Sequence, residues 1–280
     1  MSYLLVNLSG LVGLVGVFYV TGWFADQFLL AGRGLDPLSG VGRFGLGAAV
    51  WMGLLFCLAA LGLLNAAMLG LVLLMTLVGV WRYRRTTDIG FLPIRDSGTS
   101  MQYDWSARLL GAGLLGLLGI LWLQALSPQI SWDSAAYHLT VPKLYLEHGG
   151  FYRIPFNVYS NWPLNTQMLF AMALMVGDHV LAKLVHFIFG VATLLAVYRV
   201  VASKSAPWVG WLGAALFVAN PVVLDEMRAA YVDLAFAFFF FLAFMFVHYA
   251  VEADQDRSRK LLVAGVFAGV AAGIKPTGVM

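Results

Sequence analysis

The sequence predicts an all-α, polytopic transmembrane helical protein of about eight spans, with an outer loop bearing interfacial helices. Three observations carry that expectation. Of the 280 residues, 61% are hydrophobic and only 11% charged, where soluble domains average about 25% charged. Apolar runs of roughly 16–22 residues recur along the chain, close to the ~20 needed to cross ~30 Å of hydrocarbon. Lysine and arginine gather in every second connection, as the positive-inside rule requires of short cytoplasmic loops. The net charge of +3 therefore reads as topology and gives no reason to expect nucleic acid as a partner. A single cysteine, Cys57, leaves no disulfide framework and no thiolate metal site.

The expected spans are 3–24, 44–64, 66–81, 108–126, 180–201, 208–225, 230–250 and 261–280. No Lys or Arg precedes the first, which a secretory leader would need, so it reads as a retained span. Around Asn65 no charge separates the second and third, and a hairpin or one long broken helix both fit. The last run stops at Met280 with no polar tail, which suggests a chain truncated at its C-terminus. The basic sequence Trp81-Arg82-Tyr83-Arg84-Arg85, with Arg95 and Arg108, marks a cytoplasmic loop. Alternation then puts Arg33, Arg43, Arg199, Lys204, Arg257, Arg259 and Lys260 inside, and 127–179 and 226–229 outside.

The outer segment is where the chemistry-bearing residues begin. From Ser131 it reads S-W-D-S-A-A-Y-H-L-T-V-P, with Asp133, Tyr137 and His138 at helical spacing just past a span. Residues 132–147 suit a short helix, with Ser131 as N-cap and Pro142 as a kink or break. The apolar run 163–176 is too short to cross and reads as a helix in or dipping into the outer interface.

Depth along the spans points to the same level. Asp233 lies about one turn into a descending helix. Lys275 lies 14 residues into a helix rising from Leu261, about 21 Å up at 1.5 Å per residue. Lys183 and His186 share one face in the first two turns below the outer surface, and Asp225, Glu226 and Arg228 stand on that side. Ionisable groups in hydrocarbon cost a few kcal/mol or more and tend to line a wet cavity or face a partner. Each also has a structural reading: Lys183 snorkelling to headgroups, Arg228 paired with Asp225 or Glu226, His186 as a packing residue, Asp133 at a helix start, Asp233 with Lys275 as a structural pair. Asp133, Asp178, His138, His148 and His179 match no metal-ligand spacing. No metal or other cofactor is therefore expected, although a divalent ion stays open.

Five segments in order, D-S-A-A-Y-H-L-T-V-P-K-L-Y-L, Y-S-N-W-P-L-N-T-Q-M-L, A-K-L-V-H-F-I-F-G, N-P-V-V-L-D-E-M-R-A-A-Y-V-D-L-A and G-I-K-P-T-G, resemble the N-terminal part of bacterial GT-C glycosyltransferases, similar to protein mannosyltransferases and aminoarabinose transferases. The resemblance covers 108–280 and leaves 1–107 as three extra spans with a basic loop. It implies an integral protein of the bacterial inner membrane whose active side faces outward. The implied reaction moves a sugar, with inversion, from a polyprenyl-phosphate carrier to an acceptor that is a lipid, glycan or protein. It implies Asp133 as general base, Asp233 as a second acidic residue of the site, and Arg228 and Lys275 as residues at the donor phosphate. The positions of Tyr137, His138 and Lys183 at the same level add them to the expected substrate-binding set, with Asp233 counted as catalytic. Family loops often carry paired acids where this chain has Asp133-Ser134. Two other functions fit the same charges: a transporter or lipid-flipping protein with an outward polar cavity, and a noncatalytic fragment. Transporters tend to hold their key charges at mid-membrane between repeats, whereas here the charges gather at one surface and no internal repeat is visible.

Overall fold

In a computed structural model, residues 2–29, 39–86, 105–128, 130–252 and 256–279 are described, and all their regular structure is helical. Arg33 and Arg95, used above for orientation, lie outside the described residues. Helices α1 (Ser2–Leu29), α2 (Ser39–Ala60) and α3 (Ala66–Thr86) precede α4 (Trp105–Ala125). The long polar segment follows, holding a π-helical turn (Ser134–His138), α5 (Thr140–His148), a 3-10 turn (Val158–Asn161) and α6 (Asn165–Val176). The rest is α7 (His179–Lys204), α8 (Pro207–Val218), α9 (Pro221–Glu226), α10 (Asp233–Val251) and α11 (Arg257–Ala272), then a 3-10 turn (Pro276–Val279).

Among the described residues six helices are long and apolar enough to cross a membrane: α1, α2, α3, α4, α7 and α10. Two of the expected spans are built differently. The run 208–225 breaks at Asn220, whose Oδ1 accepts from Val222 N at 2.9 Å while Pro221 starts α9. Proline lacks the N–H a continuing helix needs but suits a first helical position. The run 261–280 is helical only from Arg257 to Ala272, with Gly273 at its C-cap. The question at Asn65 resolves as a hairpin. Gly62 takes φ +72° and the Asn65 side chain accepts from Met68 N at 3.0 Å.

Antiparallel succession gives the bundle two ends. One carries Arg43, Arg84, Arg85, Arg108, Arg199, Lys204, Arg257, Arg259 and Lys260; the other carries the segment between α4 and α7. Contacts along the chain agree: Asn7 Nδ2 donates to Asp178 at one end, and Lys204 meets Glu252 at the other. At the basic end Arg43 Nε holds Asp26 at 2.9 Å, both almost fully buried between α1 and α2. These two helices approach so closely that a Cβ on Gly22 or Gly47 would stand 1.6 Å from the facing carbonyl of Arg43 or Phe18.

The polar segment is packed onto the bundle. Leu64 N donates to Gly149 O at 2.8 Å and Phe151 N to Ala59 O at 2.9 Å, tying it to the α2–α3 hairpin. Helix α6 is short, as its sequence requires, at about 18 Å for 12 residues. It shows no lipid face over most of its length, because Thr166 to Ala173 are all buried against α2, α5 and α7. An amphipathic stripe is absent from 165–176, so a helix apolar all round ends up enclosed. We expect cysteines placed at Asn161 and Asp178, in a Cys57→Ser background, to react with an impermeant thiol reagent from the same side of the membrane. Reaction from opposite sides would mean that α6 crosses.

Candidate functional site

The site forms where the segment after α4 meets the starts of α7 and α10 and the end of α11. Trp132 and Asp133 are already helical, and the chain then makes one π turn, closed by Leu139 N donating to Ser134 O at 2.9 Å. The extra residue in that turn has a local cause. Pro142 has no N–H for the carbonyl of His138, and its ring would clash with that carbonyl in a continuous α-helix. The first helix therefore ends ahead of it, and Pro142 sits in the first turn of α5, where no donor is needed. The expected break lies three residues before the proline rather than at it. Single π turns are frequent at functional sites.

Asp133 is half-buried with helical φ and ψ and makes no side-chain cap hydrogen bond, so it is not the cap of this helix. The Tyr137 phenol lies beside its carboxylate, one turn on. Burial, then the charge of Asp133, pushes the Tyr137 phenol well above its ordinary range, so it stays a donor. Ser131, expected as an N-cap, lies near the Tyr231 phenol. Tyr137 stacks on Tyr159 with ring centroids 4.3 Å apart, and Trp162 stands edge-on to both. His138 is buried, and its Nδ1 accepts from Gln167 Nε2 at 3.0 Å, which leaves the ring proton on Nε2. Burial, followed by the proximity of His186, lowers its pKa to about 3. It is a neutral hydrogen-bonding group at physiological pH.

Asp233 opens α10, where the helix dipole favours a carboxylate, and it forms an ion pair with Lys275. Lys275 is not inside α11, as the sequence led us to expect, but two residues beyond the Gly273 cap. Its position is set from the loop: Asn165 N donates to Gly273 O at 3.0 Å and Asn165 Nδ2 to Val270 O at 3.2 Å. Any Cβ at residue 273 would stand 2.2 Å from Asn165 Nδ2, so that clasp needs glycine. Half-exposed Lys275 also lies 5.7 Å from the Phe236 ring centroid.

The remaining candidates are less convergent. Lys183 does not snorkel: it is 1% exposed and its Nζ donates to Ser127 O at 2.6 Å, closing the chain just past α4. Arg228 is exposed and forks onto Asp225 Oδ1 at 3.0 and 2.5 Å. Asp178 caps α7 by accepting from Val180 N, and His148 packs on Tyr152. Among the described residues no three His, Cys, Asp or Glu side chains form a metal-sized group.

Two residues outside the expected set join the cluster. His186 is fully buried; its Nδ1 faces Glu226 O and Ala229 O at 3.1 and 3.0 Å, and its Nε2 accepts from Leu234 N at 3.2 Å. One ring thus pins the whole 226–234 connection, and with it Asp233, to α7. Glu226 is 9% exposed, and burial, then Asp233, raises its carboxyl pKa to about 8. Sequence alone left Asp225 and Glu226 equivalent partners for Arg228. At the Asn165–Gly273 clasp a groove of about 390 Å³ is lined by the aromatic side chains of Phe56, Tyr145, Phe151 and Trp162.

Residues 165–280 match the family described as dolichyl-phosphate-mannose-protein mannosyltransferase. Comparisons with curated proteins and with solved structures return no match. The matched stretch contains Lys183, Arg228, Asp233 and Lys275, while Asp133, Tyr137 and His138 precede it. The stretch that is similar to this GT-C type family therefore includes the Asp233–Lys275 ion pair.

Proposed function

We propose that the protein transfers a sugar, with inversion, from a polyprenyl-phosphate carrier to an acceptor at the outer face of a bacterial plasma membrane. The observation that carries this reading is the convergence of Asp133–Tyr137 with Asp233–Lys275. Three chain segments distant in sequence supply one polar cluster, at the bundle end opposite the basic residues. Prenyl chains stay in lipid, so a carrier phosphate reaches only headgroup level. Lys275 meets it there, and Arg228 supplies a second cation at the same end of the bundle.

In this reaction Asp133 takes the acceptor's hydroxyl proton as the acceptor oxygen bonds to the sugar's C1. The bond from C1 to the phosphate oxygen breaks, and its electron pair leaves with the carrier. A positioned base of this kind contributes about 10²–10⁴-fold, and preorganised cations stabilise the charge that grows on the phosphate. Tyr137 holds the Asp133 carboxylate in place, and the aromatic groove provides flat apolar faces for a sugar ring or prenyl unit. No separate metal or organic cofactor enters this scheme. The test is an assay in proteoliposomes with radiolabelled polyprenyl-phosphate sugars and a membrane extract as acceptor source. Labelled product dependent on the protein is expected. Carrier movement across the bilayer without product would instead support a flipping protein.

A further inference from the structure

Glu226 is a carboxyl of the cluster that the scheme above leaves unused and, unlike Asp225 and Asp233, it has no lysine or arginine partner among the described residues. It ends α9, 9% exposed, with Oε2 buried and lacking a hydrogen-bond partner among the described residues. That oxygen lies 3.8 Å from His186 Nε2. The nitrogen offers it no proton, because it already accepts from Leu234 N at 3.2 Å and the ring proton lies on Nδ1, facing the carbonyls of Glu226 and Ala229. An ionised Glu226 would therefore set an anionic oxygen against a lone pair. It would do so amid the carboxylates of Asp133, Asp225 and Asp233. A carboxylic acid at that place meets neither penalty.

Both cations of the cluster are already matched, Arg228 by Asp225 and Lys275 by Asp233. A departing carrier phosphate nevertheless changes from a singly charged diester to a doubly charged monoester. We propose, resting on the donor reading above, that Glu226 binds the carrier phosphate as a protonated acid and donates its proton to the oxygen that leaves the sugar. In that step the C1–O bond breaks, its electrons go to the phosphate oxygen, and the Glu226 O–H proton moves onto that oxygen. The products are the carrier monoanion and a Glu226 carboxylate. Asp133 holds the proton taken from the acceptor, so the site stays balanced, and exchange with water restores both groups.

The groups that face Glu226 are Asp133 before the π turn, Asp225 on its own helix, His186 on α7, Asp233 on α10 and Lys275 after α11. The raised pKa of about 8 gives the sign: the proton is present below that pH and lost above it. Binding of a polyprenyl monophosphate to the full chain in nanodiscs, measured from pH 7.5 to 9.5, tests this. The probe itself does not titrate there, since its second ionisation falls near ~6. Wild-type affinity is expected to fall about tenfold per pH unit above pH 8. Glu226→Gln, an amide that still donates but cannot ionise, is expected to bind with no such slope. A carboxylic-acid carbonyl band in infrared difference spectra at pH 7, missing from the Gln variant, is expected alongside. A flat wild-type profile, or the same slope in both proteins, overturns the role of Glu226 and leaves the donor reading standing. Failure of the wild type to bind the probe at any pH overturns both.

Discussion

Asp133→Asn should lower the transfer rate by about two to four orders of magnitude while carrier binding and expression stay near wild type. The substitution keeps the shape of the side chain and an oxygen beside the Tyr137 phenol, but removes the ability to take a proton. A structural role makes the opposite forecast, because asparagine caps helices about as well as aspartate. The absence of a cap hydrogen bond from Asp133 already weighs against that role. Steady-state rates at saturating donor, with carrier affinity measured separately, distinguish the two. A near wild-type rate would remove Asp133 from the chemistry, whatever the family of the chain.

Lys275→Met should cost about 10²–10³-fold in kcat/KM, the usual loss when one preorganised donor to a transition-state anion is removed. Thermal stability should change little. The pair with Asp233 is 29% and 41% exposed, and ion pairs so open to solvent contribute ~0–1 kcal/mol. The single variant leaves one ambiguity, since it also strips Asp233 of its partner and adds net negative charge. Asp233→Asn combined with Lys275→Met removes that charge. If the lysine serves only to neutralise Asp233, the double variant regains activity. If it holds the carrier phosphate, the double variant stays as impaired as Lys275→Met, and carrier affinity stays low in both.

Much of the architecture follows from local chemistry alone. Apolar runs near 20 residues with few charges have no stable place but a bilayer, so the helical class and the long spans are legible from composition and spacing. The basic connections in alternation set one end of the bundle apart, and the structure keeps them together. Asp133, Tyr137, Asp233 and Lys275 were legible as candidates for a related reason: ionisable groups at the rim of hydrocarbon carry a cost that calls for a partner. Boundaries were less legible. Asn220-Pro221 and Gly273 end helices inside runs that hydropathy treats as continuous, because hydropathy averages over a window while caps act at single residues.

What the sequence by itself determined is the class of fold, the level in the membrane at which charge accumulates, and the set of residues able to do chemistry there. Which of them meet was decided only by tertiary structure. Lys183 and Lys275 have the same charge and nearly the same expected depth. Yet one is consumed by the carbonyl of Ser127 and the other is delivered to Asp233 by the clasp of Asn165 on Gly273. Asp225 and Glu226 are neighbours of the same sign, but the end of a six-residue helix turns one outward to Arg228 and the other inward toward His186. The physical reason is that cost depends on burial and spacing dictates only a helical face. Whether a charged group on that face is solvated, paired or protonated depends on segments 48 and 105 residues away.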